Sequence, residues 1–333
     1  MTHGEWMAAE IAEQPAALAR LLAEGAPAFA AARAAIERHQ PRFVMLAARG
    51  TSDHAALYAK YLVEIELQLP AGLASASTMT VYGARPVMRD VLWIAVSQSG
   101  GSPDLVSSTE VARAGGALTV AVTNDPSSPL AAAAEFSVDV CAGPERAVTA
   151  TKSYTSELLA LHQLLVGRDA SAVPGACART LEFGDRAQEA VGALRSVDRL
   201  VTVGRGYSYA TAREAALKLM ETSYLMAQAF SGADLLHGPL AMVGPDVPVI
   251  AVTTPGRGAT ALAPVLAQLA GRHASVLRVG APDGLPVVLD GVDESLAPIV
   301  EILPLQQLVW QLALERGGDP DAPRGLHKVT ETW

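Results

Sequence analysis

The chain has 333 residues, 50% of them hydrophobic and 18% charged, enough for two domains or one large α/β unit with a sizeable core. Its formal net charge of −9 argues against nucleic acid or an anionic membrane as the main partner. Two scattered cysteines, Cys141 and Cys177, make no disulfide framework and fit a reducing cytoplasm, the start of the chain has no signal-peptide pattern, and no uncharged apolar run is long enough to span a bilayer.

In chain order, residues 6–39 read as helical, punctuated by Pro15. Strands are predicted near 43–48, 71–75, 91–96, 117–122 and 136–140, with helices over 53–67, 103–114 and 152–167. Residues 169–196 form a linker with a crossing helix. Strands near 199–204, 247–252 and 274–279 then alternate with helices over 208–227, 259–271 and 297–316. From Gly317 the chain is rich in Pro, Gly and Asp and reads as loop. Near-continuous apolar strands between helices imply α/β architecture, with parallel sheets covered on both faces.

The chain repeats itself once. Arg49-Gly50 matches Arg205-Gly206, Ser52 matches Ser208 and Ile94-Ala95-Val96 matches Ile250-Ala251-Val252, 156 positions on in each case. One register kept across separate strands predicts two similar doubly wound halves, 40–168 and 197–316. A helical segment (1–39) precedes them and a tail (317–333) follows. Gly204-Arg-Gly206 after a strand is a poor nicotinamide fingerprint, because Tyr209 stands where the third glycine belongs.

Val91–Val96 runs into Ser97-Gln-Ser-Gly-Gly-Ser102 and a helix start, so a buried strand meets a hydroxyl-rich turn and a helix N-terminus. Free amides and the positive end of the helix dipole suit a phosphate there, and Ser97, Gln98, Ser99 and Ser102 add donors. No P-loop lysine accompanies them, so a small sugar phosphate fits better than a nucleoside triphosphate. The matching turn of the second half, Thr253-Thr-Pro-Gly256, loses a backbone donor at Pro255 and is expected to have lost the cup.

The second half carries ionisable groups instead. Lys218 and Glu221 lie three apart on a helix that is apolar nearly all round, so both face one side and are expected to be partly buried. On residues alone, the competing reading is a surface ion pair. His237 sits in a loop fixed by Gly238-Pro239, where histidines are more often structural. Lys328 stands near the C-terminus, where lysines are usually solvated. The seven histidines are scattered, and no metal site or cofactor is expected.

Together these motifs resemble the sugar isomerase (SIS) family, and within it the isomerase half of the glutamine:fructose-6-phosphate amidotransferases. The resemblance runs from Met7–Pro15 through Gly50-Thr-Ser52, Ser97–Gly100, Ala142–Lys152, Ala216–Tyr224 and Leu236–Ala241 to Asp321–Lys328. It implies flavodoxin-like subdomains and a hexose or hexosamine 6-phosphate held by Ser52, Ser97, Gln98, Ser99 and Ser102, with Gly50, Thr51 and Arg49 beside them. It further implies that Val148 contacts the sugar through its backbone, that Glu221 moves a proton between C1 and C2, and that Lys218 supports it. His237 would open the sugar ring from the other subunit of a homodimer, and Lys328 would form an imine with the ketose carbonyl. Two departures bear on the reaction. No glutaminase domain or N-terminal cysteine nucleophile precedes this half, so free ammonia is expected as the nitrogen species. Arg49, Gln228 and His327 differ from the pattern and bear on substrate identity. The leading expectation is conversion of glucosamine 6-phosphate to fructose 6-phosphate and ammonia. Dehydration of an N-acetylhexosamine 6-phosphate, deglycation of a sugar–amino-acid phosphate and a non-catalytic sugar-phosphate sensor stand beside it.

Overall fold

The computed structural model describes residues 2–328. They group into two compact units, one of residues 16–145, 152–171 and 327–328, the other of residues 2–15, 146–151 and 172–326. The chain opens with α1 (Glu5–Glu24), whose residues divide between the units, and α2 (Ala26–His39). Pro15 lies inside α1, and the break falls at Gly25 rather than at the proline.

The first unit continues with β1 (Phe43–Ala47), α3 (Gly50–Leu62) ending in a π-helical turn (Val63–Leu67), β2 (Ala71–Leu73) and a short α4 (Ser77–Thr80). There follow β3 (Val91–Ser97), α5 (Pro103–Ala114), β4 (Leu118–Thr123), α6 (Pro129–Ala133), β5 (Phe136–Asp139) and α7 (Lys152–Leu165). The strands pair in parallel in the order β2-β1-β3-β4-β5. This is a doubly wound sheet whose order reverses between β1 and β3, and ligands of such sheets bind outside the strand carboxyl ends at that reversal. β3 and β4 are apolar on successive residues because helices cover both faces. Trp93 is fully buried, and its indole N–H donates to Thr109 Oγ1 at 3.1 Å.

The second unit contains α8 (Val173–Leu181), α9 (Gly184–Leu194), β6 (Arg199–Gly204), α10 (Ser208–Ser223), β7 (Met226–Ser231) and α11 (Gly232–Leu236). β8 (Val249–Val252), α12 (Arg257–Gly271), β9 (Val276–Val279) and α13 (Ala297–Glu315) complete it. Its parallel order, β7-β6-β8-β9, reproduces the first four strands of the other sheet. The segment ending in α13 is long and apolar enough to cross a membrane, yet 83% of that window is buried, and α13 packs on α8, α9 and α10.

Two sequence expectations need correction. The helix predicted to run to 227 stops at Ser223, and β7 follows where no strand was expected. Tyr224 turns left-handed (φ 56°) and its amide bonds back to Leu219 O, which ends the helix. The short run Met-Ala-Gln-Ala-Phe-Ser fits helix or strand on composition alone, and pairing with β6 decides for strand. The crossing helix is two helices, α8 and α9, parted at Glu182-Phe183.

One device recurs in both units. The turn after β1 holds Gly50 at φ 55°, and the turn after β6 holds Gly206 at φ 61°. Two residues on, Ser52 Oγ donates to Glu157 Oε1 on α7 at 2.8 Å, and Ser208 Oγ donates to Glu301 Oε1 on α13 at 2.8 Å. Thr211 also donates to Glu301, at 2.8 Å, as does Thr254. Each carboxylate is buried in its helix and answered by hydroxyls.

Burial pushes the Glu301 carboxyl above its ordinary 4.5, against the opposing pull of its three hydroxyl donors. The folded state therefore holds a proton that the unfolded chain has released. That contribution is complete below the ordinary value and fades as pH rises through the raised one. Glu301→Gln is expected to give a melting temperature that falls less steeply than wild type as pH rises above the ordinary carboxylate range. Glu301→Leu, which leaves the buried Thr211 and Thr254 hydroxyls and the half-buried Ser208 hydroxyl without their acceptor, is expected to destabilise by about 3 kcal/mol in denaturant titration.

Candidate active site

The turn predicted to hold a phosphate lies where β3 gives way to α5. Ser97 Oγ accepts the Gly100 N–H at 3.2 Å, and Ser99 Oγ accepts the Gly101 N–H at 3.3 Å. The turn is braced from β4 and α6: Asn124 N–H donates to Gln98 O at 3.1 Å, and Leu130 N–H to Gly100 O at 3.1 Å. Ser102 caps α5 by backbone geometry, with no side-chain capping bond, so its hydroxyl is not spent on the helix. Among the described residues no hydrogen bond engages the Gln98 amide. Gln98, Ser99 and Ser102 are all half-buried.

Arg49 adds less charge than its type suggests. Its guanidinium lies 2.6 Å from Asp104 Oδ2 and also donates to Ala48 O at 2.9 Å. Asp104 is 2% exposed and stands in the first turn of α5, where the dipole favours a carboxylate. The pair carries no net charge, so what the turn offers is dipoles and hydroxyls. Ser52 is buried with its proton given to Glu157, which leaves lone pairs that suit a sugar hydroxyl better than a phosphate oxygen. Gly50 and Thr51 open α3 beside it. Val148 donates its N–H to Asp321 O at 2.9 Å, so the backbone group it has left to offer is its carbonyl.

The predicted acid–base residues lie on α10. Lys218 has a side chain 1% exposed, with Nζ 2.6 Å from Glu221 Oε2 and 3.5 Å from Glu214 Oε1. Glu214 is fully buried, and Glu221 is 21% exposed. A surface ion pair is thereby excluded. Removing an ammonium from water demands compensation, and two carboxylates supply it. Glu214 was not anticipated, although its place four residues before Lys218 on one helix face carries the signal.

His237 follows α11 as its C-cap, N–H bonded to Asp234 O at 3.1 Å, with its side chain exposed. Exposed Leu236 and Met242 flank it, and Gly238 at φ 126° fixes the exit of the loop. Lys328 is not a solvated terminal lysine: its Nζ lies 3.0 Å from Glu145 Oε2. Glu145 has no exposed side-chain surface and also accepts the Ser153 N–H at 3.0 Å and Ser153 Oγ at 2.7 Å. Sequence reasoning missed Glu145 as a partner, since nothing in local spacing ties it to a residue 183 positions away.

In the second unit, the helix start that matches the cup is filled from within. The Glu294 carboxylate accepts the Gly258 N–H at 3.0 Å, and Thr254 is committed to Glu301. An internal anion holds the position, in keeping with the expected loss of a second cup. Among the described residues no group of three or more His, Cys, Asp or Glu side chains is placed to hold a metal ion.

Two left-handed glycines of the first unit, Gly50 and Gly100, separate strain from crowding. At Gly50 (φ 55°) a Cβ meets nothing within 4 Å, whereas at Gly100 (φ 61°) it meets Ser128 Oγ at 2.2 Å. Gly50→Ala is expected to cost about 1 kcal/mol and Gly100→Ala about 3 kcal/mol in unfolding free energy. Weakened thermal stabilisation by a sugar phosphate is expected for Gly100→Ala.

Comparison with known proteins fits this geometry. The SIS domain model matches residues 39–167 and 193–281. The glutamine–fructose-6-phosphate aminotransferase [isomerizing] of Methanothermobacter thermautotrophicus is 33% identical over 98% of this chain. The chain spans only 57% of that relative's length. Among solved structures, a protein of Silicibacter pomeroyi DSS-3, provisionally described as a phosphosugar isomerase, superposes with a TM-score of 0.85 at 36% identity, covering 95% of this chain and 99% of that one. The C-terminal domain of the glucosamine-fructose-6-phosphate aminotransferase of Francisella tularensis gives 0.84 at 26% identity, covering 95% and 97%. With both of its sheets matched by the domain model, the chain belongs to the SIS domain family.

Proposed function

We propose that the protein is a phosphosugar isomerase acting on an aminosugar 6-phosphate, converting glucosamine 6-phosphate and water to fructose 6-phosphate and ammonia. The observation that carries this reading is the buried Lys218 ammonium, flanked by Glu214 and Glu221, with only Glu221 reaching solvent. Glu221 is the one member of that trio able to meet a substrate, and a carboxylate there suits removal and return of one carbon-bound proton. The names of the relatives, which act on fructose 6-phosphate, support the substrate class.

In this reading the Ser97–Ser102 turn grips the phosphate through amides and hydroxyls. His237 assists ring opening. Glu221 takes the proton from C2 of the open-chain sugar and returns it to C1, with Lys218 orienting the carboxylate. The resulting ketimine loses its nitrogen as ammonia, either to water or by exchange with the Lys328 amine and subsequent hydrolysis of that imine. Neither cysteine offers a thiolate for releasing nitrogen from glutamine: burial pushes the Cys141 thiol up to about 11 and the Cys177 thiol up to about 12. That supports free ammonia as the nitrogen species handled at the proposed site. The exposed apolar pair Leu236 and Met242 around His237 supports a homodimer in which that histidine is shared with a second copy.

The test is incubation with a panel of hexosamine 6-phosphates, with products identified by mass and ammonia measured directly. Fructose 6-phosphate and ammonia in equal amounts are expected. Glu221→Gln is expected to lower kcat by about 10³-fold, and Ser99→Ala to raise KM with kcat nearly kept. An unsaturated product retaining nitrogen points to dehydration instead, and no turnover of any panel member overturns the proposal.

A further inference from the structure

The C-terminal tail is tied down in steps. Asp319 Oδ1 accepts the Gly4 N–H at 3.2 Å, and the Asp321 carboxylate accepts the Trp6 and Met7 N–H groups at 3.0 and 2.8 Å. Asp321 O takes the Val148 N–H. Beyond these anchors the chain is exposed from Arg324 to His327. One side chain holds it there: Tyr224, whose hydroxyl accepts the Arg324 N–H at 2.9 Å while its ring lies 4.6 Å beneath the Arg324 guanidinium.

Tyr224 is an unexpected occupant of its position. It stands at φ 56°, a left-handed helix end that glycine fills at no cost and where a bulky aromatic residue is strained. Backbone strain of this kind persists where the surroundings fix it, often at functional places. Here the strained residue lies three positions after Glu221 and grips the tail four positions before Lys328.

We infer that Tyr224 is a positioning residue: it clamps the tail at Arg324 by one hydrogen bond and one cation–π contact, and so fixes where the chain leaves toward Lys328. The inference rests on the proposed role of the Lys328 amine. Its physical core, the clamp, stands apart from any activity.

Trypsin reads the clamp directly, because cleavage after Arg324 requires that side chain to leave the Tyr224 ring. In the full-length protein, Tyr224→Gly removes the ring and relieves the strain, so its melting temperature is expected to match or exceed wild type. Release of the peptide beginning at Gly325, followed by mass, is expected to be about tenfold faster in Tyr224→Gly. In Tyr224→Phe, which keeps the ring and loses the acceptor, about threefold is expected. A Tyr224→Gly rate within about twofold of wild type, the melting temperature being kept, overturns the clamp. With a hexosamine 6-phosphate that wild type turns over, Tyr224→Gly is expected to lower kcat while KM holds. Unchanged kcat alongside faster cleavage overturns the positioning role. If wild type turns over no hexosamine 6-phosphate, the functional reading fails, and the cleavage comparison alone decides the clamp.

Discussion

A carboxylate can sit in a protein interior only if donors meet it there, and each unit of this protein is organised around one that does. Glu157 on α7 and Glu301 on α13 are buried among apolar helices. Each takes a hydroxyl from the first turn of the helix that follows its unit's first sequence strand. The bond dictates how α3 sets down on α7 and how α10 sets down on α13. The left-handed glycines at 50 and 206 let the backbone turn sharply enough to deliver those serines. Move the anchor, and the turns after β1 and β6 move with it.

The two units diverge around this shared device. In the first, the turn after β3 keeps serine hydroxyls and an amide side chain free of the helix cap. In the second, Thr254 is drawn inward to Glu301, and the Glu294 carboxylate takes an amide at the start of α12. The first turn thus meets its own amides with serine hydroxyls and keeps the Ser102 hydroxyl off the helix cap, whereas the second meets an amide with a carboxylate. The second copy carries instead the Lys218 trio on α10, whose burial would be costly in a helix with no chemical task.

Much of this was legible in the residues. Strands such as Val91–Ser97 and Leu118–Thr123 announce themselves as apolar runs, since a sheet covered on both faces leaves no polar alternation to misread. β7 was not legible, because its short mixed run has no distinctive period and the stop signal before it is a tyrosine where glycine is the usual mark. The pairings of Arg49 with Asp104 and of Lys328 with Glu145 were also hidden. Both depend on tertiary placement across 55 and 183 positions, beyond the reach of helical or strand spacing. Glu214 differs: it too was missed, although it stands at helical distance from Lys218, where local rules could have found it.

The neutral pairing of Arg49 with Asp104 has a consequence for how this protein meets its ligand. The turn has no unbalanced cation to draw anions from afar, in a chain whose net charge is −9. Under the proposed reading a phosphate there would be held by dipoles and hydroxyls at contact distance, where salt screens least. Recognition would then rest on fit, with little help from long-range attraction.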